Sequence, residues 1–239
     1  MQAKTAQWTV TLTPRTMAEK LKPTAVDFGD GPRPTRFPNS RPRDASSMVL
    51  YDSAGAQPKF LMGRRDNGHV FMPGFFVFPG GKLERADYTT PHPFQISEAD
   101  LARLKTLRSS RNHAQALLSC ALREASEETG VEPILCAEKL QAHFVARAIT
   151  PPAQIRRYDT RFFAAPRLAF DAIKHTTDGE LHDVGWYSYN EIPKDRLHYI
   201  TETVLKLIVQ RLTHPDGMAG SHKIPCFHIR YGKAVTSYL

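Results

Sequence analysis

Residues 123–131 read Arg-Glu-Ala-Ser-Glu-Glu-Thr-Gly-Val, a stretch that contains three acids and one arginine. Glu127 and Glu128 follow Glu124 at spacings of three and four residues, so a helix would place all three acids on one face. Like charges at these spacings repel each other and destabilise a helix unless a cation lies among them. Arg123 offsets only part of that repulsion. The stretch is therefore a candidate site for a divalent metal ion.

The residues that precede this stretch have the periodicity of an amphipathic helix. Apolar residues recur at helical spacing between Ala114 and Ala125, Asn112 is expected to cap the N-terminus, and Gly130 lies where the helix should end. Because the apolar positions face the core, the three acids are expected on the other side, toward a cleft or solvent.

The amino-acid composition excludes several classes of protein. The chain has 239 residues, and its hydrophobic content of 41% suffices for a packed core. Its apolar runs are too short for a transmembrane helix or a secretory signal. The net charge of +8 favours anionic partners, but the basic residues are scattered. We therefore expect a small anionic ligand rather than a nucleic-acid or membrane partner.

The cysteines and the N-terminal residues indicate the cellular compartment of the protein. Cys120, Cys136 and Cys226 are odd in number and widely spread, so neither a disulfide framework nor a zinc cluster is indicated. A reducing, cytoplasmic compartment is predicted. Residues 1–18 contain basic residues and no acid, which leaves an organellar matrix as the alternative if the source is eukaryotic.

The chain divides into two regions. Residues 1–44 are rich in proline and charge and are predicted to form an extended basic arm. Residues 45–239 are predicted to form one α/β domain. Its expected strands are 47–51 and 59–62 (a hairpin), 70–78 (interrupted at Pro73-Gly74), 143–149, 160–165, 184–187 and 224–231; its expected helices are 98–108, the one capped by Asn112, and 195–212.

Together with Gly81, the acidic stretch resembles the two halves of the Nudix box, G-x5-E-x7-R-E-U-x-E-E-x-G-U, in which U is a bulky aliphatic residue. The second half matches at every fixed position, although Ala125 is small for U. The first half departs in two ways. Asp87 stands where the family has Glu, and residues 88–122 form a gap of 35 residues where the pattern has seven.

An insertion at this place resembles the acyl-coenzyme A diphosphatase branch of the Nudix family. Residues 68–74, 77–81 and 150–163 add to the likeness, which covers roughly residues 46–212. The insertion, about residues 88–111, contains the predicted helix 98–108 and would leave the domain after the Gly80-Gly81 turn. The resemblance implies a Nudix α/β/α sandwich with a mixed β-sheet and a helical insertion between the two halves of the box.

The resemblance also implies hydrolysis of a diphosphate bond with Mg²⁺ or Mn²⁺, ions that prefer carboxylate oxygens. Glu124 and Glu128 are the implied principal metal ligands, and Glu127 is a third ligand or a water-mediated partner. Arg123 would orient Glu127 through an i, i+4 ion pair. Glu180 could be the general base, with Asp183 as its competitor.

Further residues are expected to contact substrate. Arg64 and Arg157 could bind phosphate, and Gly80 and Gly81 allow close backbone approach. Coenzyme A or acyl-coenzyme A is the leading substrate and would yield phosphopantetheine and adenosine 3',5'-bisphosphate. ADP-ribose or NADH is the alternative, and a catalytically silent nucleotide-binding module is the alternative from another class. The sequence leaves open whether the protein forms a homodimer.

Overall fold

The computed structural model describes residues 40–66, 68, 72–105, 110–134, 140–152, 154, 156–173, 180–220, 222–231 and 233–239. Within these ranges the strands are β1 (Arg43–Asp52), β2 (Lys59–Arg65), β3 (Phe76–Val77), β4 (Gly80–Lys82), β5 (Phe94–Ile96), β6 (Leu140–Ile149), β7 (Tyr158–Pro166), β8 (Leu181–Ser188), β9 (Pro225–Arg230) and β10 (Lys233–Tyr238). The α-helices are α1 (Glu98–Lys105), α2 (Arg111–Thr129) and α3 (Tyr199–Thr213).

The strands form one mixed sheet around β1. The order is β10-β9-β6-β7-β1-β2-β3, with β4 beside β1, β5 beside β6 and β8 beside β2. β1 runs parallel to β7 from Arg43 to Tyr51, and antiparallel to β2 and β4. A mixed sheet was predicted, and it is present.

Two hydrophobic cores lie on the two faces of this sheet. Met48 and Leu50 of β1 pack into the core that α2 covers, whereas Val49 and Tyr51 pack into the core that α3 covers. The alternation follows from the two-residue period of a strand. Helices on both faces of one sheet confirm the predicted α/β/α sandwich.

The boundaries of α2 correct one prediction and agree with another. The helix begins at Arg111 because Ser110 has an extended backbone and its Oγ accepts the N–H of His113 at 3.2 Å. Asn112 is therefore not the cap. Gly130 ends the helix as predicted, with φ of 69° in the left-handed region.

The insertion is tied to the sheet at more points than the sequence indicated. The helix predicted at 98–108 is α1, and residues 106–109 lie outside the described part of the chain. The backbone N–H of Asp100 donates to Ser97 Oγ, as expected for a helix N-terminus. Two further links were not predicted: β5 pairs in parallel with β6, and the buried carboxylate of Asp100 accepts the N–H of Phe144 at 3.1 Å.

Other boundaries also differ from expectation. α3 begins at Tyr199 rather than residue 195, because residues 194–196 form a separate 3₁₀ turn and His198 caps the helix. The predicted strand 224–231 is the first half of a β9–β10 hairpin. Of the predicted strand 70–78, residues 70–71 lie outside the described part of the chain, and β3 covers only two of the remaining residues. β1 begins at Arg43, inside the predicted arm; residues 1–39 lie outside the described residues.

Two of the three cysteines are described, and both Cys120 and Cys226 are buried free thiols. Among the described helices, none is both long and apolar enough to cross a membrane.

Candidate active site

The Gly80-Gly81 turn is anchored on β1. Gly80 and Gly81 pair with Ser47 and Ser46, and the carbonyl oxygen of Pro79 accepts both Ser47 Oγ (2.8 Å) and the N–H of Met48 (3.0 Å). The backbone N–H of Gly80 donates to Glu128 Oε2 at 2.9 Å. The first half of the Nudix-like motif therefore lies against the C-terminal half of α2, although 35 residues separate the two halves in sequence.

The three acids of α2 have different environments. Glu128 is only 5% exposed, Glu124 is partly buried, and the side chain of Glu127 is 59% exposed. The expectation that all three face a cleft or solvent is thus wrong for Glu128. This carboxylate lies beneath the Gly80 turn, because β4 brings that turn over the end of the helix.

Burial dominates the electrostatics of the buried pair. Desolvation raises the pKa of Glu128 to about 8; the Gly80 hydrogen bond and Arg65 lower it, and the charges of Glu124 and Glu180 raise it. The pKa of Glu124 is also raised, chiefly by burial. A second cation would therefore stabilise the ionised pair.

Arg123 connects the acids to the start of the insertion. Its guanidinium makes a two-point ion pair with Asp87 at 2.9 and 3.2 Å, and its Nη1 contacts Glu124 (2.9 Å) and Glu127 (3.0 Å). The predicted ion pair with Glu127 is present. The Asp87 side chain is fully buried and also accepts the N–H of Glu84, so an aspartate supports Arg123 despite its shorter side chain.

Glu180, at the start of β8, lies within electrostatic reach of both buried acids, since its charge raises the pKa of Glu124 and of Glu128. The structure brings this predicted residue to the site. Arg64 instead pairs with Asp183 at 2.7 Å. Within the described residues, Arg157 hydrogen-bonds the carbonyl oxygens of Ser40 and Thr150 and none of the acids.

Arg65, the neighbour of Arg64 on β2 and one of five arginines that the sequence offers as phosphate contacts, lowers the pKa of Glu128 through its charge. Adjacent residues of a strand point to opposite faces, so Arg64 and Arg65 cannot both face the acids.

The donor set fits a hard divalent cation in part. Among the described residues, no group of three or more His, Cys, Asp or Glu side chains is arranged to hold a metal. The available pair is Glu124 and Glu128, because Glu127 is drawn outward to Arg123. Mg²⁺ is commonly held by one or two carboxylates plus waters and substrate phosphates, so the pair suits it.

Alanine substitutions at Gly80 and Gly81 are expected to have contrasting effects on stability and turnover. A Cβ at Gly81 would overlap the carboxylate of Glu124, which is the end of a flexible side chain and can move. A Cβ at Gly80 would lie 2.6 Å from the Ser46 carbonyl oxygen and 2.7 Å from Ser47 Cα, and a strand backbone cannot yield easily. We expect Gly81→Ala to keep a melting temperature near wild type and to lower kcat at least tenfold, about 1.4 kcal/mol in the barrier.

Gly80→Ala should instead lower the melting temperature by several degrees, as overpacking costs about 1–3 kcal/mol. Thermal unfolding and turnover, measured on both variants, check this contrast. Equal loss of stability in the two variants would contradict the placement of Glu124 against Gly81.

Comparison with known proteins agrees with this geometry. Residues 110–208 match the model of the NUDIX domain family. A NUDIX hydrolase from Alicyclobacillus acidocaldarius superposes with a TM-score of 0.55 at 22% identity, covering 71% of this chain and 91% of that chain. The fold is therefore the predicted Nudix fold, and the family match supports the predicted enzyme class, a Nudix-type diphosphatase.

Two other solved structures overlap less closely. MutT NUDIX hydrolase from Burkholderia pseudomallei gives a TM-score of 0.46 at 16% identity, covering 71% of this chain and 99% of that chain. The NUDIX domain of NrtR from Shewanella oneidensis, complexed with ADP ribose, gives 0.47 at 17% identity, covering 73% and 90%.

Proposed function

We propose that this protein hydrolyses the diphosphate bond of a nucleoside diphosphate linked to another group, with Mg²⁺ or Mn²⁺ as cofactor. The observation that carries this proposal is the buried Glu128 beside Glu124 under the Gly80 turn. Keeping two repelling carboxylates at a partly desolvated position costs stability, and a bound divalent cation would offset that cost. The Nudix fold and family match support the same class of reaction.

Glu124 and Glu128 would hold the cation, and Glu127 would contribute through a water or as a third ligand. A divalent ion at such a site neutralises phosphate charge and lowers the pKa of a bound water. The chain's own part is positional. The Gly80 N–H fixes Glu128, and Arg123, itself fixed by Asp87, orients Glu124 and Glu127.

Glu180 is the proposed general base. It is exposed, precedes β8 and interacts electrostatically with both buried acids, so it can reach a water near them. Asp183 is the weaker candidate because its carboxylate is paired with Arg64. We expect Glu180→Gln to lower kcat about 100-fold or more with little change in KM.

Asp183→Asn serves as the matched comparison for Glu180→Gln. This variant should leave kcat and KM close to wild type, since Asp183 is paired with Arg64, which lies on the face of β2 opposite to Arg65. Steady-state kinetics on both variants separate the two candidates, and a larger kcat effect for Asp183→Asn would exchange their roles.

Coenzyme A or acyl-coenzyme A is the proposed substrate, cleaved to phosphopantetheine and adenosine 3',5'-bisphosphate. The insertion between the two halves of the motif supports this choice. Arg65 replaces Arg64 as the proposed phosphate contact, because its charge reaches Glu128 whereas Arg64 lies on the opposite face of β2. Arg157 is left out because its described hydrogen bonds go to backbone carbonyl oxygens and none of them reaches the acids. ADP-ribose or NADH is the alternative substrate, and a silent nucleotide-binding module is the alternative without catalysis.

The test is a panel of coenzyme A, acyl-coenzyme A, ADP-ribose and NADH, each with Mg²⁺ or Mn²⁺, with products identified by mass spectrometry. We expect cleavage at the diphosphate that is lost in Glu124→Gln and retained in Glu191→Gln, a change at an exposed acid outside the site. Saturable nucleotide binding without cleavage would instead establish the silent module. Preference for ADP-ribose or NADH would overturn the substrate assignment alone.

A further inference from the structure

A cavity of about 210 Å³ lies between α1 of the insertion, β6 and the segment that follows α3. Its lining contains one acid, two arginines and two histidines: Asp100, Arg103, Arg211, His143 and His222. None of these residues belongs to the Nudix-like motif or contacts its acids through a described hydrogen bond. The cavity is therefore separate from the candidate active site.

Arg211 is the buried cation of this cavity, with 5% of its surface exposed. Its two Nη atoms donate to the carbonyl oxygens of Phe144 (3.5 Å) and Val145 (3.2 Å), where the pairing of β6 with β7 is irregular. A guanidinium has five N–H donors, so three have no acceptor among the described residues. Part of Arg211 therefore supports the strand, and the rest can serve a ligand.

The carboxylate of Asp100 does not neutralise Arg211. Its Oδ1 pairs with Arg103 at 3.0 Å, and its Oδ2 accepts the N–H of Phe144 at 3.1 Å. Burial lowers the pKa of Arg211 to about 10; Asp100 acts against this shift and Arg103 adds to it. Arg211 thus stays charged at neutral pH, and within the described residues its charge has no direct carboxylate partner.

His143 and His222 also line the cavity. Burial lowers the pKa of His143, with Asp100 opposing the shift and Arg211 and His222 adding to it. His222 hydrogen-bonds the carbonyl oxygen of Gly217 through Nε2 at 2.7 Å. The cavity therefore joins a guanidinium that has no direct carboxylate partner among the described residues to a second arginine and two imidazoles, a set of groups that favours a negatively charged ligand.

The size of the cavity limits that ligand. Pockets for drug-sized molecules hold about 300–1,000 Å³, so 210 Å³ admits only a small group. We propose that this cavity binds a small oxyanion, a phosphate or carboxylate group, between Arg211 and Arg103. Two sources share this chemistry, a free ion and the end of a larger molecule that projects from the opening. This site does not depend on the proposed hydrolytic function.

Titration of the full-length protein with inorganic phosphate tests the site, with no divalent metal present and ionic strength held constant with sodium chloride. Calorimetry and thermal unfolding should both show saturable binding. We expect Arg103→Gln and Arg211→Gln to weaken phosphate binding at least about tenfold. The control is Arg196→Gln, which removes one exposed arginine that is not among the residues lining the cavity and should bind like wild type.

Parallel titrations with acetate and glycerol phosphate distinguish a carboxylate, a free phosphate and a phosphate attached to a larger group. If Arg211→Gln fails to fold because β6 loses its two hydrogen bonds, Arg103→Gln still decides the result. Phosphate binding that is equal in wild type, Arg103→Gln and Arg196→Gln would overturn the proposal. So would an absence of saturable binding beyond the effect of sodium chloride.

Discussion

Replacing Glu128 with Gln is expected to lower turnover by orders of magnitude. The same change should raise the melting temperature of the metal-free protein. Activity falls because the proposed cation loses a charged ligand. Stability rises because a neutral amide removes both the desolvation cost of the buried carboxylate and its repulsion by Glu124. For a chain of this size each kcal/mol shifts the melting temperature by about 2–4 °C.

The stability gain should depend on pH in a defined direction. The pKa of Glu128 is about 8 in the folded protein and near the ordinary value of 4.5 when unfolded. Wild type therefore loses stability as the pH rises from about 4.5 to about 8, where the folded state holds a proton that the unfolded state has released. The gain from Gln should be small at pH 5 and largest at pH 8, measured by thermal unfolding without metal.

Glu127→Gln is the matched control, one residue away on the same helix and largely exposed. It should leave the melting temperature of the metal-free protein within about a degree of wild type, as surface substitutions usually do. A lower melting temperature for Glu128→Gln than for wild type at pH 8 would contradict the buried, charge-destabilised placement of Glu128.

Replacing Asp87 with Ala is expected to destabilise the protein by about 3–5 kcal/mol, the usual cost of removing one partner of a buried ion pair. The Asp87 side chain is fully buried, and its loss leaves a partly buried Arg123 without its two-point partner. Arg123 should then turn toward Glu124 and Glu127, and kcat should fall as well. Urea-induced unfolding at equilibrium measures the stability change.

Two further variants make the Asp87 result interpretable. Asp195→Ala removes an acid whose side chain is 81% exposed and should change stability by less than about 0.5 kcal/mol. Asp87→Glu supplies the residue type of the Nudix pattern and should keep the charge pairing, so it should be much milder than Asp87→Ala. Similar losses in all three variants would show that Asp87 does not stabilise the fold through Arg123.

The elements that the sequence predicted well are those with a local physical cause. Helical periodicity located α2, Gly130 marked its end, and the i, i+4 spacing predicted the contact between Arg123 and Glu127. The spacing of the acids predicted that they share a helix. These features depend on residues within a few positions of one another, so no tertiary information was needed.

The features that the sequence did not predict depend on distant contacts. The burial of Glu128 is fixed by the pairing of Gly80 with Ser47 of β1, and β5 is recognisable only through its partner strand β6. The choice between Arg64 and Arg65 depends on which face of β2 meets the acids. In each case a register between strands decides the outcome, and one residue of slip reverses it.

The ion pair between Asp87 and Arg123 joins the residue just before the insertion to the helix that follows it. These two side chains act as a clasp across the insertion, which occupies about residues 88–111. The entropic cost of closing such a loop rises only about 0.6 kcal/mol for each doubling of its length. The parts of the insertion outside β5 and α1, which are tied to the sheet, can thus gain or lose residues cheaply and diversify in ligand recognition while the acids keep their positions.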